Sequence, residues 1–312
     1  MSSLKSLSHF PNIFLDCASS NLSMPQSEDV LFVLDSVAHV FNISISLDKI
    51  DPLTVILNSA LPNPVCYKET QQIYLTSKSP SWCQIAYQFA HELCHYSIAG
   101  NVPGNLKWLE ESICEASSYY FLPKISKYWK RINVNKITPD GEMYYPCFTS
   151  YVEVDCKKST PFDISQLCKL PISEISQNLI INPYMRNINS HIANCMLPIF
   201  KKYPLTWKAI PYLGFVNPGQ HLTDSLKEWI ALSPPKCHAG LIEFLFYSAR
   251  QSFFCSLWLS IFSRTACRTP FLCFTFIHFS LPPTLPEVPQ WIHADNLLQL
   301  LTCQLPELIF SI

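Results

Sequence analysis

The chain has 312 residues, 48% of them hydrophobic and 14% charged, with a formal net charge of −1. That length allows one or two domains. The near-zero balance excludes a bulk electrostatic pull toward nucleic acid or an anionic membrane surface. The 14 cysteines form no CxxC pair, and several (Cys83, Cys94, Cys114, Cys195) fall inside apolar helical patterns. Reduced thiols are therefore expected rather than a disulfide framework. The start MSSLKSLSHFPNIFLDC lacks the continuous apolar stretch of a signal peptide, so a cytoplasmic protein is expected.

Residues 1–26 are Ser-rich and weakly patterned. From Ser27, apolar Val30, Leu31, Val33, Leu34, Val37, Ala38 and Phe41 recur at three- and four-residue spacing, which predicts an amphipathic helix. Ile43, Ile45 and Leu47 then alternate as in a half-buried strand, and the β-branched run Leu53 to Leu57 reads as another. Val65 to Tyr67 and Gln72 to Leu75 flank the polar turn KETQ and predict a hairpin. Ser79-Pro80 suits a helix start, with a hydroxyl cap and proline in the first turn, and the pattern continues to about Ile98. After Gly100 to Gly104, a second helix is expected from Leu106 to Leu122, ended by Pro123. These elements make an α+β unit over 27–123.

The signal is poor from Lys124 to Pro171, where the basic SKYWKRINVNK reads as a solvated surface. Helical patterning returns over 172–232, notably Tyr184 to Lys202 with Ile188, Ile192, Met196 and Ile199 on one side, and Leu222 to Leu232. The expected organisation is thus an N-terminal segment 1–26, a core 27–123, a mainly helical part 124–249 and an apolar tail 250–312. In that tail, runs Phe253 to Phe262 and Phe271 to Leu281 are each shorter than the ~20 residues that cross a bilayer.

The chemistry is concentrated in HELCH, His91 to His95, and in WLEESICE, Trp108 to Glu115. Histidines four apart on a helix lie on one face about one turn apart, roughly 6 Å of rise, so both imidazoles can reach one ion. Glu92, one step round, points beside that ion rather than at it, where a general base is wanted. Glu111 follows His95 by sixteen positions (111 − 95), enough for the chain to reverse and return a carboxylate.

HELCH followed by Trp108-Leu109-Glu110-Glu111-Ser112 resembles the gluzincin metallopeptidases, in which a downstream glutamate in a Trp-Leu-x-Glu-Gly type segment completes HExxH. The resemblance covers Gln72 to Leu122 and departs from the pattern at Ser112, where the family has glycine. It implies a zincin-like core, a Zn2+ cofactor held by His91, His95 and Glu111, and Glu92 as general base in peptide hydrolysis. Glu115, one turn beyond Glu111, takes the place of an acid that braces a ligating histidine. Glu115 and Glu110 stay open as alternative third ligands, and Cys94 reads as a small buried hydrophobe. Tyr184, Arg186 and His191 are candidate donors to a transition-state oxyanion. The strand from Ile73 to Ser77 is a candidate sheet edge for an extended peptide substrate. Two other readings remain: a non-catalytic, regulatory metal-binding module, and a membrane-associated peptidase anchored through the tail. Substrate specificity and oligomeric state carry no sequence signal.

Overall fold

The β-branched and aliphatic rows at Ile13, Leu15, Leu53, Val55, Ile73 and Leu75 assemble the sheet on which the rest of the chain is laid. A computed structural model describes residues 4–47, 50–156, 158–218 and 221–249. Its five strands are β1 (Leu4–Ser6), β2 (Ile13–Asp16), β3 (Leu53–Leu57), β4 (Val65–Tyr67) and β5 (Gln72–Leu75), in the order β1-β2-β3-β5-β4. Helix α1 (Met24–Asn42) makes the crossover between β2 and β3, which pair in parallel with Ile13 beside Leu53 and Leu15 beside Val55. Next, β5 pairs parallel to β3, with Val55 beside Ile73 and Leu57 beside Leu75. These alternate residues are buried. Burying each stabilises the fold by about 1.5–3 kcal/mol.

Helices then follow: α2 (Trp82–Ser97), α3 (Lys107–Arg131), α4 (Tyr145–Cys156), α5 (Glu174–Ile181), α6 (Arg186–Lys202) and α7 (Leu222–Leu232). A further helix, α8, covers 238–249. The fold is mixed α+β, with a small sheet. Among the described residues no helix is long and apolar enough to cross a membrane. The apolar runs Phe253 to Phe262 and Phe271 to Leu281 lie outside the described residues.

Several expectations need correction. Residues 1–26 supply two strands, and α1 begins at Met24, before Ser27, which is buried and donates to the Met24 carbonyl at 2.8 Å. The strand expected through Ile43, Ile45 and Leu47 is a turn. Ser44 and Ile45 donate to the Phe41 carbonyl, both at 2.9 Å, and the Asn42 side chain accepts from Leu47 N–H at 2.6 Å. Helix-end hydrogen bonding wins over the alternation, so Ile43 is exposed while Ile45 and Leu47 are buried. Helix α2 starts at Trp82 after Ser81, not at Ser79-Pro80. Pro123 does not end α3, which continues to Arg131. Ile125 and Trp129 beyond it are fully buried, and that packing outweighs the roughly 3 kcal/mol a helical proline costs. The hairpin of β4 and β5 forms as expected, with Cys66 beside Ile73. Because β5 lies between β3 and β4, it offers no free edge to a peptide; that edge belongs to β4.

Two contacts fix α2 against the sheet. Gln88 Oε1 accepts from Thr76 N–H (3.0 Å) and from Ser77 N–H (3.2 Å) and Oγ (2.7 Å). Lys68, at the end of β4, donates to the Ile98 and Gly100 carbonyls at 2.9 and 3.3 Å, so a cation meets the negative end of the helix. Beyond that end, a Cβ on Gly214 would sit 1.9 Å from the Ala99 carbonyl oxygen, so only glycine permits the approach of the 3-10 segment Pro204–Phe215.

Candidate metal centre

Small side chains bring α2 and α3 close. Ser117 and Ser118 of α3 are buried, and their hydroxyls donate to the carbonyls of Ala90 (2.9 Å) and Tyr87 (2.8 Å) on α2. The Ser117 hydroxyl also reaches the Cys114 carbonyl of its own helix at 2.8 Å, whereas Ser118 would be left a costly unsatisfied group without α2. Ser112, where the gluzincin pattern has glycine, is buried on the same helix and folds its hydroxyl back to the Trp108 carbonyl at 2.7 Å.

The seam brings the predicted triad together. The rings of His91 and His95 have centroids 5.0 Å apart. Glu111 Oε2 lies 3.5 Å from His91 Nε2, and its Oε1 lies 3.5 Å from His95 Nε2. One ligand atom from each of the three falls within 4.8 Å of the others, so the group could hold a metal ion. Donors ~2.1 Å from a tetrahedral ion stand roughly 3.4 Å apart, which matches these gaps. Two imidazoles and one carboxylate are a donor set suited to borderline metals.

The opposite ring nitrogens are also occupied. Glu115 Oε2 lies 3.5 Å from His91 Nδ1, and Glu110 Oε1 lies 2.9 Å from His95 Nδ1. Glu115 therefore stands where a bracing acid was expected. Glu110 braces the second histidine in the same way, a role the sequence reading did not give it. The angle between Glu110 and Glu111 on α3 separates the two but cannot show that α2 presents a second nitrogen there. The sequence signal for it is Lys107, which donates to Glu110 Oε2 at 2.8 Å from one turn earlier. Tyr119 Oη (2.7 Å) and Ser190 Oγ (3.0 Å) both donate to Glu115 Oε1, tying the brace to α6.

Electrostatics follow from burial and pairing. Burial alone would lower both histidines, but Glu111 and Glu115 raise His91 well above its usual value, and Glu110 and Glu111 raise His95 to about 9. Against burial, His91 and the Tyr87 and Tyr119 hydroxyls hold Glu115 down at about 2; the histidines likewise hold Glu111 low. Glu92 differs. Burial pushes its carboxyl up, only partly opposed by His91 and His95, and no ion pair or hydrogen bond among the described residues engages it.

The remaining candidates lie elsewhere. Cys94 is fully buried beside Cys114 on α3 and is not part of the triad. Tyr184 is exposed, and the His191 ring is engaged by the Phe162 carbonyl at 2.9 Å. Arg186 is exposed at the start of α6, and its charge reaches Tyr87, whose buried hydroxyl adjoins Glu115.

No protein-family model, curated protein or solved structure matches the chain. The likeness to gluzincins therefore rests on the two motifs and on the geometry they produce.

Proposed function

We propose that the chain is a zinc-dependent hydrolase of peptide bonds built on a zincin-like core. One observation carries this reading: the Nε2 atoms of His91 and His95 both face Glu111 while Glu92 stands buried and unengaged beside them. His91, His95 and Glu111 would hold the ion. When bound, zinc supplies a Lewis acid that acidifies water and polarises a carbonyl. Glu92 takes a proton from the attacking water and passes it to the departing amine, and its raised pKa moves it toward the range where a base works near neutrality. Glu110 and Glu115 keep the imidazoles oriented with Nε2 toward the ion. Of the three expected donors, Tyr184 just before α6 and Arg186 and His191 on it, Arg186 is favoured, because its charge acts on Tyr87, whose hydroxyl adjoins Glu115. An extended substrate would add to β4, the sheet edge that carries Cys66 within electrostatic reach of Glu92. A cytoplasmic setting suits the free thiols of the described cysteines.

The test is a peptide-library cleavage profile together with metal content for wild type, Glu92→Gln and Glu111→Gln. Glu92→Gln keeps the metal and loses cleavage; Glu111→Gln loses most of the metal held by His91 and His95. Undiminished cleavage by Glu92→Gln defeats the catalytic reading. A wild-type chain that holds no zinc defeats the metal reading.

A further inference from the structure

We propose that His9 and His39 form a second metal-ion site, separate from the α2–α3 seam and selective for ions that favour imidazole, such as Zn2+ or Ni2+. His9 follows β1 and His39 lies in the last turns of α1. Their ring centroids are 5.5 Å apart with an interplanar angle of 53°, close to the 5.0 Å and 59° of His91 and His95. Two imidazoles bound at ~2.0–2.1 Å to one tetrahedral ion place their centroids roughly 5 Å apart, so both pairs have the spacing of a shared ion.

His9 is also prepared as a ligand. Asp35, a buried residue of α1, accepts from the His9 backbone N–H at 2.9 Å and engages its Nδ1 at 2.6 Å. In a neutral imidazole this carboxylate–histidine pairing favours the Nδ1–H tautomer, which presents the Nε2 lone pair to a ligand, as at metal-bound histidines generally. His39 stacks on Tyr128 at 4.6 Å, and among the described residues no hydrogen bond occupies either of its ring nitrogens. Both histidines line a cavity of about 410 Å3, together with Phe10, Asn12, Asn42 and Leu47, which has room for waters to complete an ion's shell. Arg131, whose guanidinium lies over the Tyr128 ring at 5.5 Å, acts on His39 with a positive charge that Asp35 opposes.

Equilibrium dialysis of the full chain against buffered low-micromolar Zn2+ or Ni2+, read by mass spectrometry, tests the proposal. His39→Gln should bind one ion fewer per chain than wild type, and His91→Ala should retain the ion that His39→Gln loses. Asp35→Asn should weaken that ion by about 10- to 100-fold. In unaltered protein, Zn2+ should shift the ring NMR signals of His9 and His39 together, a readout that does not depend on any variant folding. Equal ion counts for wild type and His39→Gln, or His9 and His39 signals unmoved at saturating Zn2+, would overturn it. The comparison holds whether or not the α2–α3 seam proves to bind zinc.

Discussion

Two histidine pairs sit in very different surroundings. His91 and His95 are largely buried, and three carboxylates converge on them from α3. The His9 side chain is 55% exposed and, among the described residues, pairs with the single carboxylate of Asp35. Similar ring spacing therefore comes with unlike electrostatics. The inner pair is enclosed, over-supplied with negative charge and accompanied by an acid, Glu92, that is unengaged among the described residues, as the proposed hydrolysis requires. The outer pair opens into a cavity and, among the described residues, has no unengaged acid like Glu92 beside it, in keeping with the proposed role of holding an ion. Spacing alone does not distinguish the two proposed roles; the carboxylates around each pair do.

The comparison can be broken most severely at Glu92. Glu92→Gln is expected to lower peptide hydrolysis by about 10²- to 10⁴-fold with metal content unchanged, whereas His9→Gln should leave hydrolysis at wild-type rates. A steady-state assay on one cleaved peptide from the library decides it. Next in size are the braces. Glu110→Gln and Glu115→Gln should each weaken metal binding at the inner pair by about 10- to 100-fold, as read by competition with a chromophoric chelator. Loss of the inner ion in Glu115→Gln with little change in Glu111→Gln would exchange their roles.

The pH dependence sharpens the contrast further. With its pKa raised to about 9, His95 is protonated in the metal-free chain at neutral pH and stabilises that form. This contribution is complete below the ordinary histidine range and disappears as pH rises through about 9. Metal must displace those protons, so affinity at the inner pair should climb between pH 6 and 9, with proton release seen by calorimetry in buffers of different ionisation heat. A flat profile would mean the histidines are already neutral. The smallest effect concerns the seam itself: Ser117→Val removes a hydroxyl bonded to the Ala90 carbonyl and adds bulk between α2 and α3. A loss of about 1–3 kcal/mol is expected in urea unfolding, with weakened metal binding at the inner pair and none at the outer.

What the sequence disclosed follows from range. HELCH places its own side chains within one helical turn, so the triad geometry needed only one long-range step, the return of Glu111. The run Leu53 to Leu57 and the β4–β5 hairpin are local and were equally legible. Pro123 misled because its cost is visible in the sequence while the burial of Trp129 beyond it is not. Glu110 needed the position of a second helix before its partner could be known. The His9–Asp35 pairing joins residues 26 apart on different elements, and no spacing rule reaches it.

The glycine at 214 has a mechanical corollary. The Ala99 carbonyl it touches lies four positions past His95, so the 3-10 segment Pro204–Phe215 abuts the terminus of the helix that carries both inner imidazoles. Ala99 N–H also donates to the Pro211 carbonyl at 3.0 Å, which couples the two stretches in tension as well as compression. Displacing that segment in either direction must therefore load the imidazole-bearing helix at its C-terminal end, close to His95, with no ligand or substrate involved.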